Sequence, residues 1–240
     1  MLDLFGKAIL DFQTNKAPEN LLTETNISEA DEMDVSYLFR SYAAMPKIEK
    51  KALQLSKGNV LDVGCGAGSH SLYLQNDKNL KVTSIDISKN AIEACELRGL
   101  KNAKVQNILD LEIDSDSHQH KFDTILLLMN GTGIFGTLAE TSNYLQKLKS
   151  ILAPNGQILI DSSDIIYMFD EDEDGSKWIP ADGYYGELTF TISYKTQTEA
   201  PFPWLYLDYN TLQNAAFANG LQCELVEEGN HFDYLAKLSH

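Results

Sequence analysis

The stretch Val60-Leu61-Asp62-Val63-Gly64-Cys65-Gly66-Ala67-Gly68-Ser69 decides the fold: a short apolar run enters a glycine-rich turn and leaves it with helical spacing. Glycines in such a turn let the backbone reverse tightly and approach a ligand with no Cβ in the way. A nucleotide-like ligand is therefore expected. The next apolar run, Val82-Thr83-Ser84-Ile85, closes on Asp86 about 20 residues beyond the turn, where a carboxylate accepts hydrogen bonds from both hydroxyls of a ribose. The strict dinucleotide fingerprint needs a third glycine at the sixth position from Gly64, and Ser69 stands there instead.

Around this turn, apolar runs alternate with helical patterns. Residues 69–75, 91–97 and 141–152 carry helix-like spacing, and residues 103–108, 124–129 and 157–160 read as strands. Strand–helix alternation with short turns argues a parallel sheet of five strands. The continuously apolar runs Thr124-Ile125-Leu126-Leu127-Leu128 and Ile158-Leu159-Ile160 fit strands covered by helices on both faces. Residues 223–226 and 234–238 read as a terminal hairpin, after a helix over 209–219 that stops at Gly220. The expected fold is thus α/β and doubly wound, with a mostly parallel seven-stranded sheet ending in an antiparallel hairpin. Residues 1–57 show no alternating pattern and read as a helical preface, with helix-like spacing from Asp34 to Ser56 interrupted at Pro46. Residues 165–208 read as a small antiparallel insertion, with 187–194 alternating at period two and 202–207 as partner. The main domain then comprises 58–164 and 209–240.

Composition narrows the function. The chain has 240 residues, 43% hydrophobic and 22% charged, as an ordinary globular protein has. Nineteen Lys and Arg against 35 Asp and Glu leave a formal charge of -16. That surface repels phosphate backbones and anionic headgroups, so nucleic acid and membrane are poor expected partners. No apolar run approaches the roughly 18 residues of a membrane helix, and the N-terminus carries Asp3 where a secretory signal has positive charge, which predicts a cytoplasmic protein. The three cysteines, Cys65, Cys95 and Cys223, form no Cys-x-x-Cys pair and read as reduced thiols. No metal is expected: the acidic run from Asp170 to Gly175 opens like a calcium loop but has Ala181 at its twelfth position, and His118 and His120 sit with Asp114 and Asp116 in a polar loop.

With Asp62 ahead of Gly64, Gly66 and Gly68, the pattern Asp-x-Gly-x-Gly-x-Gly resembles the first motif of the class I S-adenosylmethionine-dependent methyltransferases, and the likeness extends from Asn59 to Asp164. The resemblance implies S-adenosylmethionine as cofactor, with Gly64, Cys65, Gly66 and Gly68 facing its methionine part and Asp62 close to its amino group. By the same resemblance Asp86, with Ile87 beside it, holds the ribose. Asp110 faces the adenine amino group, Leu111 packs by the ring, and Met129 and Asn130 complete the set. Three acids suit a sulfonium cation better than a pyrophosphate, which wants unopposed N–H groups and positive charge. Plainer readings stand beside these: Asp62 as a polar strand end, Asp86 as a cap before Ser88, and Asp110 as part of a solvated loop.

Methyl transfer from a sulfonium is an in-line displacement that demands alignment and exclusion of water, with a base only where the acceptor carries a proton. The acceptor belongs past the carboxyl ends of the strands. Candidates there are Asn130, Asp161, Asp164 and, if the sixth strand runs parallel, His231 in the turn after it. Enzymes that methylate base amino groups carry an Asp or Asn, two prolines and an aromatic where this chain has Met129-Asn130-Gly131-Thr132, and Asn130 alone survives. The aromatic-rich insertion reads as cover for a small organic substrate, and Arg40 as a partner for a carboxylate of cofactor or substrate. Rival readings are a nucleotide-dependent oxidoreductase, a cofactor-binding protein of the same fold that transfers nothing, and an adaptor with an acidic surface. No motif selects among N-, O-, S- and C-methylation.

Overall fold

The computed structural model of the chain describes residues 2–112, 121–179, 181 and 183–240, so the His118 and His120 cluster lies outside the described residues. Helix α1 (Leu4–Thr14), a hairpin of β1 (Leu21–Thr25) and β2 (Ser28–Met33), and helix α2 (Lys47–Leu55) come first. Strand and helix then alternate through β3 (Asn59–Val63), α3 (Ser69–Asn76), β4 (Lys81–Asp86), α4 (Lys89–Leu97), β5 (Ala103–Val105), β6 (Phe122–Leu127), α5 (Thr141–Ile151) and β7 (Leu152–Ser163). After β8 (Glu187–Tyr194), β9 (Gln197–Thr198) and β10 (Phe202–Leu205), the chain returns with α6 (Tyr209–Ala218), β11 (Gln222–Glu228) and β12 (Asp233–Ser239).

The main sheet has the order β11-β12-β7-β6-β3-β4-β5, with the five strands from β7 to β5 parallel and β12 antiparallel to both neighbours. The doubly covered strands split their side chains by parity. Leu61, Ile125, Leu127, Ile158 and Ile160 meet α5 and α6 through Leu145, Leu148, Leu212 and Ala216. Val60, Leu126 and Leu159 face the other way, onto Ile48 and Leu53 of α2 and Leu74 of α3. Each such side chain contributes about 1.5–3 kcal/mol on burial. Because Asp233 pairs with Ser163, the turn between β11 and β12 lies at the carboxyl end of β7. The condition placed on His231 is met.

A second sheet has the order β10-β8-β1-β2, with β9 off β8. The preface supplies helices as expected, but between α1 and α2 it also supplies half of this sheet, because β1 pairs with β8 of the insertion as well as with β2. Preface and insertion are therefore one layer. The expected helix over 34–56 is broken up: Val35–Phe39 and Tyr42–Ala44 are single 3-10 turns, and only Lys47–Leu55 is α-helix. Pro46, with no N–H to give, fits directly ahead of it. Helix α1 wedges between the layers, with Leu4 and Ala8 on Leu21, Ile192 and Tyr194, and Ile9 on Ala67 and Ala91.

Candidate active site

The glycine turn takes the shape its residues predict. Gly64, Gly66 and Gly68 all have positive φ, and the Gly64 and Cys65 N–H groups both donate to the Ile85 carbonyl, at 2.9 and 3.1 Å. Gly66 matters most. A Cβ there would meet nothing within 4 Å, so the protein leaves open the space beside this backbone. Behind the turn, the buried Cys95 thiol donates to the Gly66 carbonyl at 3.2 Å. Asp62 turns inward: its Oδ2 accepts from Ser71 Oγ at 2.6 Å, Ser71 Oγ contacts Ser84 Oγ at 2.6 Å, and burial pushes its carboxyl above the ordinary value. It ties β3 to α3 beneath the loop.

Asp86 closes β4 and binds the turn from the other side. Its Oδ2 accepts from Gly66 N–H and its Oδ1 from Ser88 N–H, both at 2.9 Å, so each oxygen keeps a lone pair. Burial raises its carboxyl against the pull of those two bonds. Next to it Ile87 is 73% exposed, an apolar side chain standing free where a flat ring can lie. Leu111 packs partly against the core, and Asp110 is exposed at the end of the turn Ile108–Asp110. Asp3 pins α1 to this edge by accepting from Ser88 Oγ at 2.7 Å and Asn90 Nδ2 at 2.8 Å.

Sequence reading named Arg40 but missed its companions. Glu49 of α2 is buried and accepts from Arg40 Nη2 on one oxygen, and its other oxygen contacts His70 Nε2 of α3 at 2.7 Å. Burial works to raise the Glu49 carboxyl, but the His70 and Arg40 bonds outweigh it and leave it below the ordinary value. The guanidinium lies 4.0 Å over the Tyr37 ring, and its Nε is a buried donor with no partner among the described residues. A histidine two positions after the last glycine was the available signal.

On the acceptor side, the turn after β6 is held in an uncommon shape, with Met129 and Asn130 both at positive φ. Asp161 enforces it: its oxygens accept from Met129 N–H at 3.0 Å and Gly131 N–H at 2.9 Å, and burial raises its carboxyl to about 7. Asn130 is spent internally, accepting from Ser162 Oγ at 3.1 Å and donating to the Leu205 carbonyl at 3.3 Å. Thr132 also donates to Leu205, and a Cβ on Gly133 would fall 2.0 Å from the Trp204 ring, so this turn is clamped to β10. Asp164 accepts from Tyr185 Oη at 2.8 Å and Ile166 N–H at 2.9 Å. It anchors the insertion.

His231 is the exposed candidate. It lines a cleft of about 800 Å³ walled by β1, β2 and β8 on one side and by Ser163, Ile165, Tyr167 and the 229–233 turn on the other. Tyr37 also lines it, and burial pushes its hydroxyl above the ordinary value against the pull of Arg40. Through Tyr37 the cleft adjoins the Arg40 network beside the glycine loop.

The model of the methyltransferase domain matches residues 54–200 of the chain. The chain belongs to that family. It is a methyltransferase, and the residues present fit S-adenosylmethionine: an open cradle at Gly66, a carboxylate with free lone pairs at Asp86, and an exposed apolar side chain at Ile87. Over 99% of its length it is 43% identical to an S-adenosylmethionine-dependent methyltransferase from Bacteroides fragilis, solved with S-adenosylhomocysteine, covering 94% of that chain at a TM-score of 0.89. A ubiquinone biosynthesis O-methyltransferase from Rickettsia prowazekii is 28% identical over 48% of this chain. A tRNA U34 carboxymethyltransferase from Shewanella denitrificans is 25% identical over 63% of it. Either match spans 44% of the curated relative's length. Among the described residues, no helix is long and apolar enough to cross a membrane.

Proposed function

We propose that this methyltransferase transfers the methyl group of S-adenosylmethionine to a small organic acceptor held in the cleft between the two sheets. The observation that carries the reading is the cleft itself: about 800 Å³, at the carboxyl edge of β7, beside the Tyr37–Arg40–Glu49 contact. When bound, the cofactor supplies an electrophilic methyl carbon on a sulfonium sulfur. The chain's residues then position and shield. Asp86 holds the ribose by its free lone pairs, Ile87 and Leu111 take the two sides of the adenine, and Asp110 accepts from its amino group. Gly64, Cys65 and Gly66 present backbone to the methionine part, with Met129 and Asn130 shaping the wall opposite. The orphan Nε of Arg40 meets the methionine carboxylate, which gives that buried donor its partner.

Asp161 and Asn130 act as positioning residues, holding the turn after β6 and its clamp to β10, and Asp164 positions the insertion by accepting from Tyr185 Oη and Ile166 N–H on one oxygen. His231, exposed in the cleft lining, serves as base where the acceptor carries a proton. A small acceptor suits a cleft of this volume and the charge of -16 better than a nucleic acid does. The free thiols accord with a cytoplasmic location. Isothermal titration with S-adenosylhomocysteine, after removal of any bound cofactor, tests the reading. Binding at micromolar or tighter affinity is expected, and NADH binding in its place would overturn it.

A further inference from the structure

Resting on that reading, we propose that the acceptor is a cation at neutral pH, an aliphatic amine without phosphate or carboxylate, recognised by the acidic and aromatic walls of the cleft. In an antiparallel sheet, residues directly opposite share a face. Thr23 pairs with Asp31 and with Ile192, so one face of the second sheet runs from Leu21, Ile192 and Tyr194, packed on α1, to Thr25, Phe190 and Asp31 over the cleft, and past the register shift in the β1–β2 pairing Ser28 and Glu29 both line it. On this open wall of the cleft β2 places two carboxylates, Glu29 and Asp31.

Asp233 contributes a third from the opposite wall, and among the described residues Glu29, Asp31 and Asp233 enter no ion pair. Lys47 at the cleft edge is taken by Glu227 at 3.2 Å. Rings of Tyr37, Tyr167, Phe190 and Tyr206 complete the lining, and π-faces attract an ammonium group. An anionic acceptor finds the reverse. The chain has two arginines, Arg40 and Arg98, and both are committed beside the glycine loop: Arg40 to Glu49 and, through its Nε, to the methionine carboxylate on the reading above, and Arg98 to the Ala67 carbonyl and Ser69. Phosphate and carboxylate recognition depends on such forks.

The chemistry balances. The ammonium nitrogen loses one proton to His231, and its freed lone pair forms the new N–C bond as the methyl C–S bond breaks. The electron pair of that bond stays on sulfur in neutral S-adenosylhomocysteine, and the methylated ammonium carries the positive charge onward.

The test uses choline, a permanent cation with no N–H, against its neutral carbon isostere 3,3-dimethyl-1-butanol. Each is titrated into the full chain with and without saturating S-adenosylhomocysteine. Choline is expected to bind roughly tenfold tighter than the isostere, and the Glu29→Gln, Asp31→Asn double variant to remove most of that advantage. Both side chains are exposed, so folding and S-adenosylhomocysteine affinity should stay as in the wild type. Equal binding of cation and isostere, or a cation advantage untouched by the double variant, would overturn the proposal. Failure to bind S-adenosylhomocysteine would instead strike the functional reading, and the choline comparison in its absence would still decide the nature of the cleft.

Discussion

The proposed cofactor end and the proposed acceptor end of the sheet's carboxyl edge are built in opposite ways. The cofactor end is local: Asp62 to Gly68, Asp86 to Ser88 and Ile108 to Leu111 are three strand-to-loop exits, each shaped by its own dihedrals and backbone bonds. The acceptor end is assembled from the preface hairpin, Tyr37, the exit of β7, strand β8 and the β11–β12 turn, which meet only in the folded chain. A site made by backbone geometry constrains residue type position by position. One made by distant surfaces constrains only their sum.

The buried contact of Arg40, Glu49 and His70 joins the two ends, and cutting it should have the largest effect. Glu49→Ala leaves a guanidinium uncompensated in a dry setting, a loss of about 3–5 kcal/mol. Denaturant unfolding measures it, and a cost under about 1 kcal/mol would mean the network does not hold the preface to α3. Breaking the cofactor end alone comes next. Asp86→Ala removes two charge-assisted bonds to a ribose and should weaken S-adenosylhomocysteine on the order of a hundredfold. Choline binding in the cofactor-free protein should not change, and if both ligands weakened together the two ends would not be separable.

That separation explains what the sequence disclosed. The parallel strands were legible because β6 and β7, covered on both faces, are apolar in long runs, because the glycine turn after β3 must carry glycine, and because short apolar runs alternate with helical patterns. The hairpin β1–β2 was not. Its cleft-facing positions hold Thr23, Thr25, Glu29 and Asp31, so the alternation that reveals a half-buried strand is absent. Its pairing partner β8 lies more than 150 residues away, although the alternation of β8 itself was plain. Asn130, Asp161 and Asp164 were found by position at the strand ends, but residue type alone did not show that backbone and side-chain partners already engage them. His70 and Glu49 are separated in sequence and meet only through the packing of α2 on α3.

Asp161 offers a gentler probe, through pH. Its folded carboxyl is raised to about 7 by burial, whereas an unfolded one titrates near 3.9. A raised folded value means a stabilising contribution that is complete below about pH 4 and lost as pH rises through about 7. Asp161→Asn does not titrate, so the wild type's stability advantage over the variant should shrink across that window. Thermal unfolding at several pH values reads it, and a constant difference would mean that the carboxyl is not desolvated at the exit of β7.

The smallest expected effect tests how far the acceptor end is independent. Tyr185 donates to Asp164 Oδ1 at 2.8 Å, the same oxygen that accepts from Ile166 N–H, and so it links the insertion to the loop carrying Tyr167. Tyr185→Phe keeps the ring and its edge contact with Phe169 while deleting that one donor. The bond is half-buried and its acceptor keeps another donor, so the loss should be about 1 kcal/mol in unfolding free energy. Because the loop forms one wall of the cleft and contributes nothing to the glycine turn, the loosening should weaken choline binding and leave S-adenosylhomocysteine affinity within roughly twofold. A variant that lost cofactor affinity as readily as cleft affinity would show the insertion to be part of the cofactor site, and the contrast between a local end and an assembled end would fall.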